Sequence, residues 1–199
     1  MNWLLVLGIS LANNLDNTGV GVAYGLRRIR ISPLVNGWIS IITFLLTGSA
    51  VMIGSGVGHF LPAIAAKALS ACILCAIGIS VLAPALRHPV EGKEPSDNVL
   101  ARILEDPNRA DMDGSKHIDL KEGTILGIAL SINNIGGGIG AGLVHLSVLW
   151  TAGLSAAFSF FVLWLGGYVG SRVGSGRFAA RAPLVAGGML IVIGLCQFR

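Results

Sequence analysis

Six long apolar runs, at roughly residues 3–26, 34–57, 63–86, 122–145, 148–170 and 182–198, constrain this chain more than any other feature. Each reaches or nearly reaches the ~20 residues that carry a helix across the hydrocarbon core of a bilayer. The runs lack the every-second-residue alternation of a barrel strand, so they predict helices. A water-soluble core is excluded by composition: 53% of residues are hydrophobic, 12% are charged and mean hydropathy is +0.76. The expected fold is an all-α polytopic membrane protein with six transmembrane helices, its first partner being the lipid bilayer. The first run lacks a basic leader, is too long for a signal peptide and contains an aspartate, so it is expected to remain as a helix.

Orientation follows from the cations. With the turn at residues 27–33 inside, Arg27, Arg28, Arg30, Arg87, Lys93, Arg102, Arg109, Lys116, Lys121, Arg172, Arg177 and Arg181 all fall inside. Only Lys67 and Arg199 fall outside. This asymmetry predicts both termini outside and the connection at residues 87–121 in the cytoplasm. It also accounts for the formal charge of +4, so no nucleic-acid partner is expected: the cations form no basic stripe. Cys72 and Cys75, spaced C-x-x-C in the third run, and Cys196 in the last are expected to be small packed residues without chemistry.

The chain divides into two three-span halves, residues 1–86 and 122–199, around the acidic connection 87–121. Their first helices resemble each other at a constant offset. Ala12, Asn17, Gly19, Gly21, Gly25 and Leu26 meet Ala129, Asn134, Gly136, Gly138, Gly142 and Leu143. Three spans is an odd number, so the second half must enter the membrane the other way up. The expectation is a 3+3 inverted-topology repeat with its site at the midplane, where the halves meet. A homo-oligomer is compatible with this pattern.

Nine of the ten acidic residues lie between Glu91 and Glu122; the tenth, Asp16, stands alone in the first apolar run. A carboxylate at the bilayer centre costs roughly 2.5–3.5 kcal/mol on insertion scales, so it is rarely left there without a partner, an ion or a proton to carry. Asn13, Asp16 and Asn17 share one helical face, and the repeat brings Asn133 and Asn134 opposite them, with Ser10 or Ser131 in reach. Oxygen ligands of this kind suit Mn²⁺, Mg²⁺ or Ca²⁺ better than Cu⁺ or Zn²⁺, with a proton or Na⁺ as further options. The competing reading is that these polar residues are interhelical glue. Gly21/Gly25, Gly138/Gly142, Gly54/Gly58 and Gly166/Gly170 have small-residue spacings for close helix packing, joined by Gly19 and Gly136. The Gly136-Gly137-Gly138 triplet also offers a place for a helix to unwind. His59 and His145 sit near the outer ends of spans two and four.

Within the connection, Asp111-Met112-Asp113-Gly114-Ser115-Lys116-His117-Ile118-Asp119-Leu120-Lys121-Glu122 places side-chain oxygens at positions 1, 3, 5, 9 and 12, as in an EF-hand loop. Ca²⁺ or another divalent cation would be held by Asp111, Asp113, Ser115, Asp119 and Glu122. The departure is Lys116 at position 6, where the sharp turn wants glycine. The alternative is an acidic loop that ends in a capping box, Asp119 to Glu122, at the start of span four.

The six-span layout, the Asn-Asn-Leu-Asp-Asn-Thr-Gly motif and the segment Gly19-Val20-Gly21-Val22-Ala23-Tyr24-Gly25-Leu26-Arg27-Arg28-Ile29-Arg30-Ile31 resemble the MntP/YtaF group of bacterial membrane proteins. That group contains manganese efflux pumps and a branch named for sporulation, and the acidic loop before span four resembles the sporulation branch. The resemblance implies a bacterial inner-membrane location and an intramembrane aspartate in each half. Asp16 matches the first; Asn133 stands where the second is usual, and Thr18 and Ile135 replace an aromatic. A secondary exporter of a divalent cation, Mn²⁺ above all, is the first functional expectation. No enzyme chemistry and no permanently bound cofactor are expected. The second is a non-transporting sporulation-type or scaffold membrane protein that works through its acidic loop.

Overall fold

A computed structural model describes residues 3–15, 17–86, 99, 103, 107–173, 191–193 and 195. Among the described residues the main helical segments are α1 (Trp3–Leu15), α2 (Asn17–Arg27), α3 (Pro33–Gly58), α4 (Ala63–Leu86), α5 (Leu120–Leu143) and α6 (Val148–Val173). Asp16, most of the connection 87–106 and most of the expected sixth span lie outside the described residues. The described residues 191–193 and 195 are helical, and Ile191 and Ile193 lie against Cys75 of α4 and Gly8 of α1.

The helices start where local chemistry favours it. Ser32 caps α3 by accepting from the Val35 amide at 3.2 Å, with Pro33 at the first helical position. Asp119 caps α5 inside a complete capping box with Glu122. α3, α5 and α6 are each long and apolar enough to cross a membrane. Leu45, Met52, Ile53, Leu149, Phe161 and Leu165 expose more than half of their surface, which in water would be a liability and in lipid is expected. Aromatics gather toward the two ends, Trp3 against Trp150 at one and Trp164 against Tyr168 at the other, where Arg172 also stands 5.1 Å over the Tyr168 ring. Rings at two levels are the pattern of membrane interfaces.

The two parts of the chain interlock. α3 packs along α5 and α2 along α6, and the two crossings are built alike. A Cβ added at Gly25 would meet Gly167 O, the Ser171 amide nitrogen and Gly170 Cα. One added at Gly142 would meet Val51 O, the Ser55 amide nitrogen and Gly54 Cα. In return Gly170 lies on the Val22 backbone and Gly54 on the Ile139 backbone. Only glycine lets the helices approach this closely. In both crossings the contact positions rise together along the two helices, so each pair runs parallel. The segments that lead into α3 and α5 are parallel too: β1 (Arg30–Ile31) pairs with β2 (His117–Ile118), Arg30 beside His117.

Two apolar clusters pack at opposite ends. Tyr24, Val35, Ile39, Ile118, Leu126 and Leu163 form one, near the strands. Val6, Ile9, Ala12, Val51, Leu74 and Ala141 belong to the other. The layer between them is polar.

Candidate functional site

That layer is assembled from four helices. On α3, Asn36, Ser40, Thr43 and Thr47 recur every three or four residues, so they share a face, and all are buried. On α6, Thr151, Ser155 and Ser159 do the same at four-residue spacing, each with no exposed surface. Thr43 Oγ1 joins three helices: it lies 3.0 Å from Ser131 Oγ of α5 and 3.3 Å from Ser159 Oγ of α6. From α1, the Ser10 hydroxyl donates to the Thr151 carbonyl at 3.2 Å. One turn further, Asn14 donates to the Ser10 carbonyl at 2.8 Å and accepts from Asn134 Nδ2 of α5 at 3.4 Å. The Asn14–Asn134 pair thus links the two parts of the chain at the level of the polar layer.

The residues expected from the sequence fall as follows. Asn13 and Asn17, on either side of Asp16, are buried, and Asn134 has no exposed surface. Asn133 is exposed. The side-chain amide of Asn13 lies where a Cβ of Gly137 would be, so a glycine there makes room for the asparagine. In the triplet, Gly136 faces Ile77 of α4, Gly137 faces Asn13 of α1 and Gly138 faces Thr47 and Ala50 of α3. The triplet stays inside an unbroken helix; its three glycines serve three neighbours. Gly19 lies within α2. Asn14 and the hydroxyls of Thr43, Thr47, Ser155 and Ser159 were not among the expected residues. Their signal is the spacing on α3 and α6, which emerges only once those helices are known to face each other.

Several polar atoms here have no hydrogen-bond partner among the described residues: both amide atoms of Asn13, Asn36 Oδ1, Asn134 Oδ1, Thr47 Oγ1, Thr151 Oγ1 and Ser155 Oγ. Buried polar atoms are normally satisfied, so these atoms leave places for internal water or an ion to complete their hydrogen bonding.

At the strand end, a cavity of about 690 Å³ is lined by Tyr24, Arg28, Arg30, Asn36, Trp164 and Tyr168 among others. At the opposite end the His59 and His145 rings meet edge to face, centroids 4.8 Å apart.

In the 111–122 loop, carboxylates and backbone amides are tied to one another. Carboxylate oxygens of Asp111, Asp113 and Glu122 converge within 4.8 Å of one another. The Lys116 amide donates to Asp111 Oδ2 at 3.1 Å and the Ser115 amide to Asp113 Oδ1 at 2.9 Å. Lys116 takes φ 60°, the left-handed conformation that position 6 requires, and Gly114 takes φ 70°. Ser115 turns its hydroxyl to the His117 carbonyl at 3.0 Å. Glu122 is buried and accepts from Met112 N at 2.8 Å and Asp119 N at 3.1 Å, while Asp119 accepts from Glu122 N at 2.7 Å. The expected capping box and the loop geometry therefore coexist. The Ser115 backbone amide, then its hydroxyl, hold the Asp113 carboxyl below the usual aspartate value.

Exposed apolar helices, two glycine-lined crossings and a polar layer between apolar clusters are the features of a multi-pass membrane protein. Comparison with known proteins gives the class a family. The family model titled "Mntp: Putative manganese efflux pump" matches residues 100–197. The chain is 30% identical over 208 residues to the Bacillus subtilis (strain 168) protein named "Probable sporulation protein YtaF", covering 98% of this chain and 99% of that one. No solved structure matches it. The chain belongs to the MntP/YtaF family of membrane proteins.

Proposed function

We propose that this protein is a secondary transporter that exports a divalent cation, Mn²⁺ first, through a midplane site where two inverted repeats meet. The observation that carries the proposal is the buried polar layer between the paired glycine crossings. The family model's description supplies the ion. The alike contacts of Gly25 and Gly142 support the 3+3 repeat, because a pseudo-twofold axis would generate one crossing from the other. Asn13 and Asn17 flank Asp16 in sequence and are themselves buried, and Asn134 reaches across through Asn14. Asp16 supplies the charge that a divalent cation needs, and the asparagines supply neutral oxygens. Residues 1–86 and 122–199 act as the two repeats, and alternating access is a rocking of one against the other. With both termini outside, the arginine-rich strand end faces the cytoplasm and the His59–His145 end faces out.

The 111–122 loop is proposed as a cytoplasmic Ca²⁺ or other divalent-cation station that regulates rather than transports. Glu122 carries its effect, since the same carboxylate faces Asp111 and Asp113 and caps α5.

The test is manganese tolerance in a bacterium deprived of its own exporter. Wild type is expected to lower cell manganese and restore growth at high Mn²⁺, and Asp16→Asn to do neither while reaching the membrane in equal amount. Full tolerance from Asp16→Asn would overturn the mechanism.

A further inference from the structure

The geometry points to a second, neutral cation site in the α3–α6 seam, built from Thr47 Oγ1, Ser155 Oγ and Asn134 Oδ1 and selective for Na⁺. These three oxygens come from three helices, their residues have no exposed surface and none has a hydrogen-bond partner among the described residues.

Register places them together. Gly138 of α5, one turn beyond Asn134, lies against the Thr47 carbonyl at 3.2 Å from its would-be Cβ. On α6, Ser155 stands one turn from Ser159, which meets Thr43, and Ala152 lies against Gly48. Thr47 and Ser155 are therefore at the same level of an antiparallel pair. On α1, Asn14 occupies that level too, one turn beyond the Ser10–Thr151 contact, and its Oδ1 is taken by Asn134 Nδ2. This contact leaves Asn134 Oδ1 as the acceptor turned elsewhere. The Thr43, Ser131 and Ser159 hydroxyls form a floor one turn below.

The ligand chemistry selects the ion. Thr47, Ser155 and Asn134 offer hydroxyl and amide oxygens but no carboxylate. Stripping water from a divalent ion for neutral oxygens alone is unfavourable, as hard divalent cations rely on carboxylates or retained water. A monovalent cation has less hydration to replace, and neutral oxygens deep in a transporter are where coupling Na⁺ is held.

The role of the site rests on the exporter reading given above. Na⁺ in the seam and Mn²⁺ beside Asn13 and Asn17 would share one low-dielectric layer, where like charges repel strongly. The two ions then bind in alternation, Na⁺ entering as Mn²⁺ leaves. The inference deepens the proposal by naming the driving ion.

Thermal unfolding of the purified full-length protein in detergent, followed by tryptophan fluorescence, tests it with NaCl, KCl and choline chloride at equal ionic strength. A saturable rise in midpoint with Na⁺ alone is expected, because an ion that binds only the folded state stabilises it. Thr47→Val and Ser155→Ala should each weaken the apparent Na⁺ affinity by about tenfold or more, the effect of losing one ligand oxygen. Thr47→Ser, which keeps the hydroxyl, should stay close to wild type. Equal responses to the three salts, or full Na⁺ response in both Thr47→Val and Ser155→Ala, would overturn the site. If Thr47→Val fails to fold, the wild-type titration and Ser155→Ala decide. Mn²⁺ flux in proteoliposomes under an opposing Na⁺ gradient separates the two proposals. Na⁺ binding with no Mn²⁺ flux under any gradient leaves the site standing and overturns the exporter.

Discussion

Asn14 and Asn134 meet across the centre of the molecule at 3.4 Å, and each has no exposed surface. A single contact of this kind is worth about 0.6–1.7 kcal/mol inside a membrane bundle. Replacing Asn134 by Leu should therefore lower detergent stability by about 1–2 kcal/mol, read as a fall in unfolding midpoint, and abolish transport altogether. Retained transport would show that the amide is glue. Asp113 carries a different prediction. Its carboxyl lies below the usual 3.8 through the Ser115 amide and hydroxyl. A depressed folded value means the contact contributes above the unfolded pKa and is lost as pH falls through the folded one. Hydrogen-exchange protection of the 111–117 segment, corrected for the intrinsic pH dependence of amide exchange, should thus be unchanged from neutral pH down to about 4 and fall only below the ordinary aspartate range. Protection that falls between pH 6 and 5 would contradict it.

At the scale of elements, the helix crossings decide stability. A methyl group at Gly142 would collide with α3 backbone atoms, which cannot swing away as a side-chain end can. Gly142→Ala should destabilise by about 1–3 kcal/mol, typical of overpacking, and Gly25→Ala should match it, since its surroundings on α6 are alike. Gly37→Ala meets nothing within 4 Å and should be neutral or stabilising by up to about 1 kcal/mol through helix propensity. Thermal unfolding of the three variants checks both sign and order. Glu122 is a second such element, because capping α5 and facing the loop carboxylates share one side chain. Glu122→Gln keeps most of the cap while removing charge. It should leave the unfolding midpoint within a degree or two without added ion, and remove any Ca²⁺-dependent rise.

Across the whole molecule, apolar length was legible from the sequence. The runs at 34–57, 63–86, 122–145 and 148–170 appear as Pro33–Gly58, Ala63–Leu86, Leu120–Leu143 and Val148–Val173, since twenty apolar residues have few other fates. Asp119 as the cap of α5 was legible as well, being local. The two-residue strands were not, as Arg30–Ile31 and His117–Ile118 are too short to show alternation. Nor were Asn14 and the Thr47 and Ser155 hydroxyls. Small polar residues in apolar helices look alike until the facing helix is known, and only the third dimension sets Ser159 against Thr43.

The most direct test of ion export is Mn²⁺ flux into proteoliposomes reconstituted with wild type or Asp16→Asn, with Mg²⁺, Ca²⁺ and Cd²⁺ as comparison ions. Saturable Mn²⁺ flux by wild type, and flux at the level of empty vesicles for Asp16→Asn, is the predicted result. Equal flux by both, or none from folded wild type with any of the four ions, would contradict it.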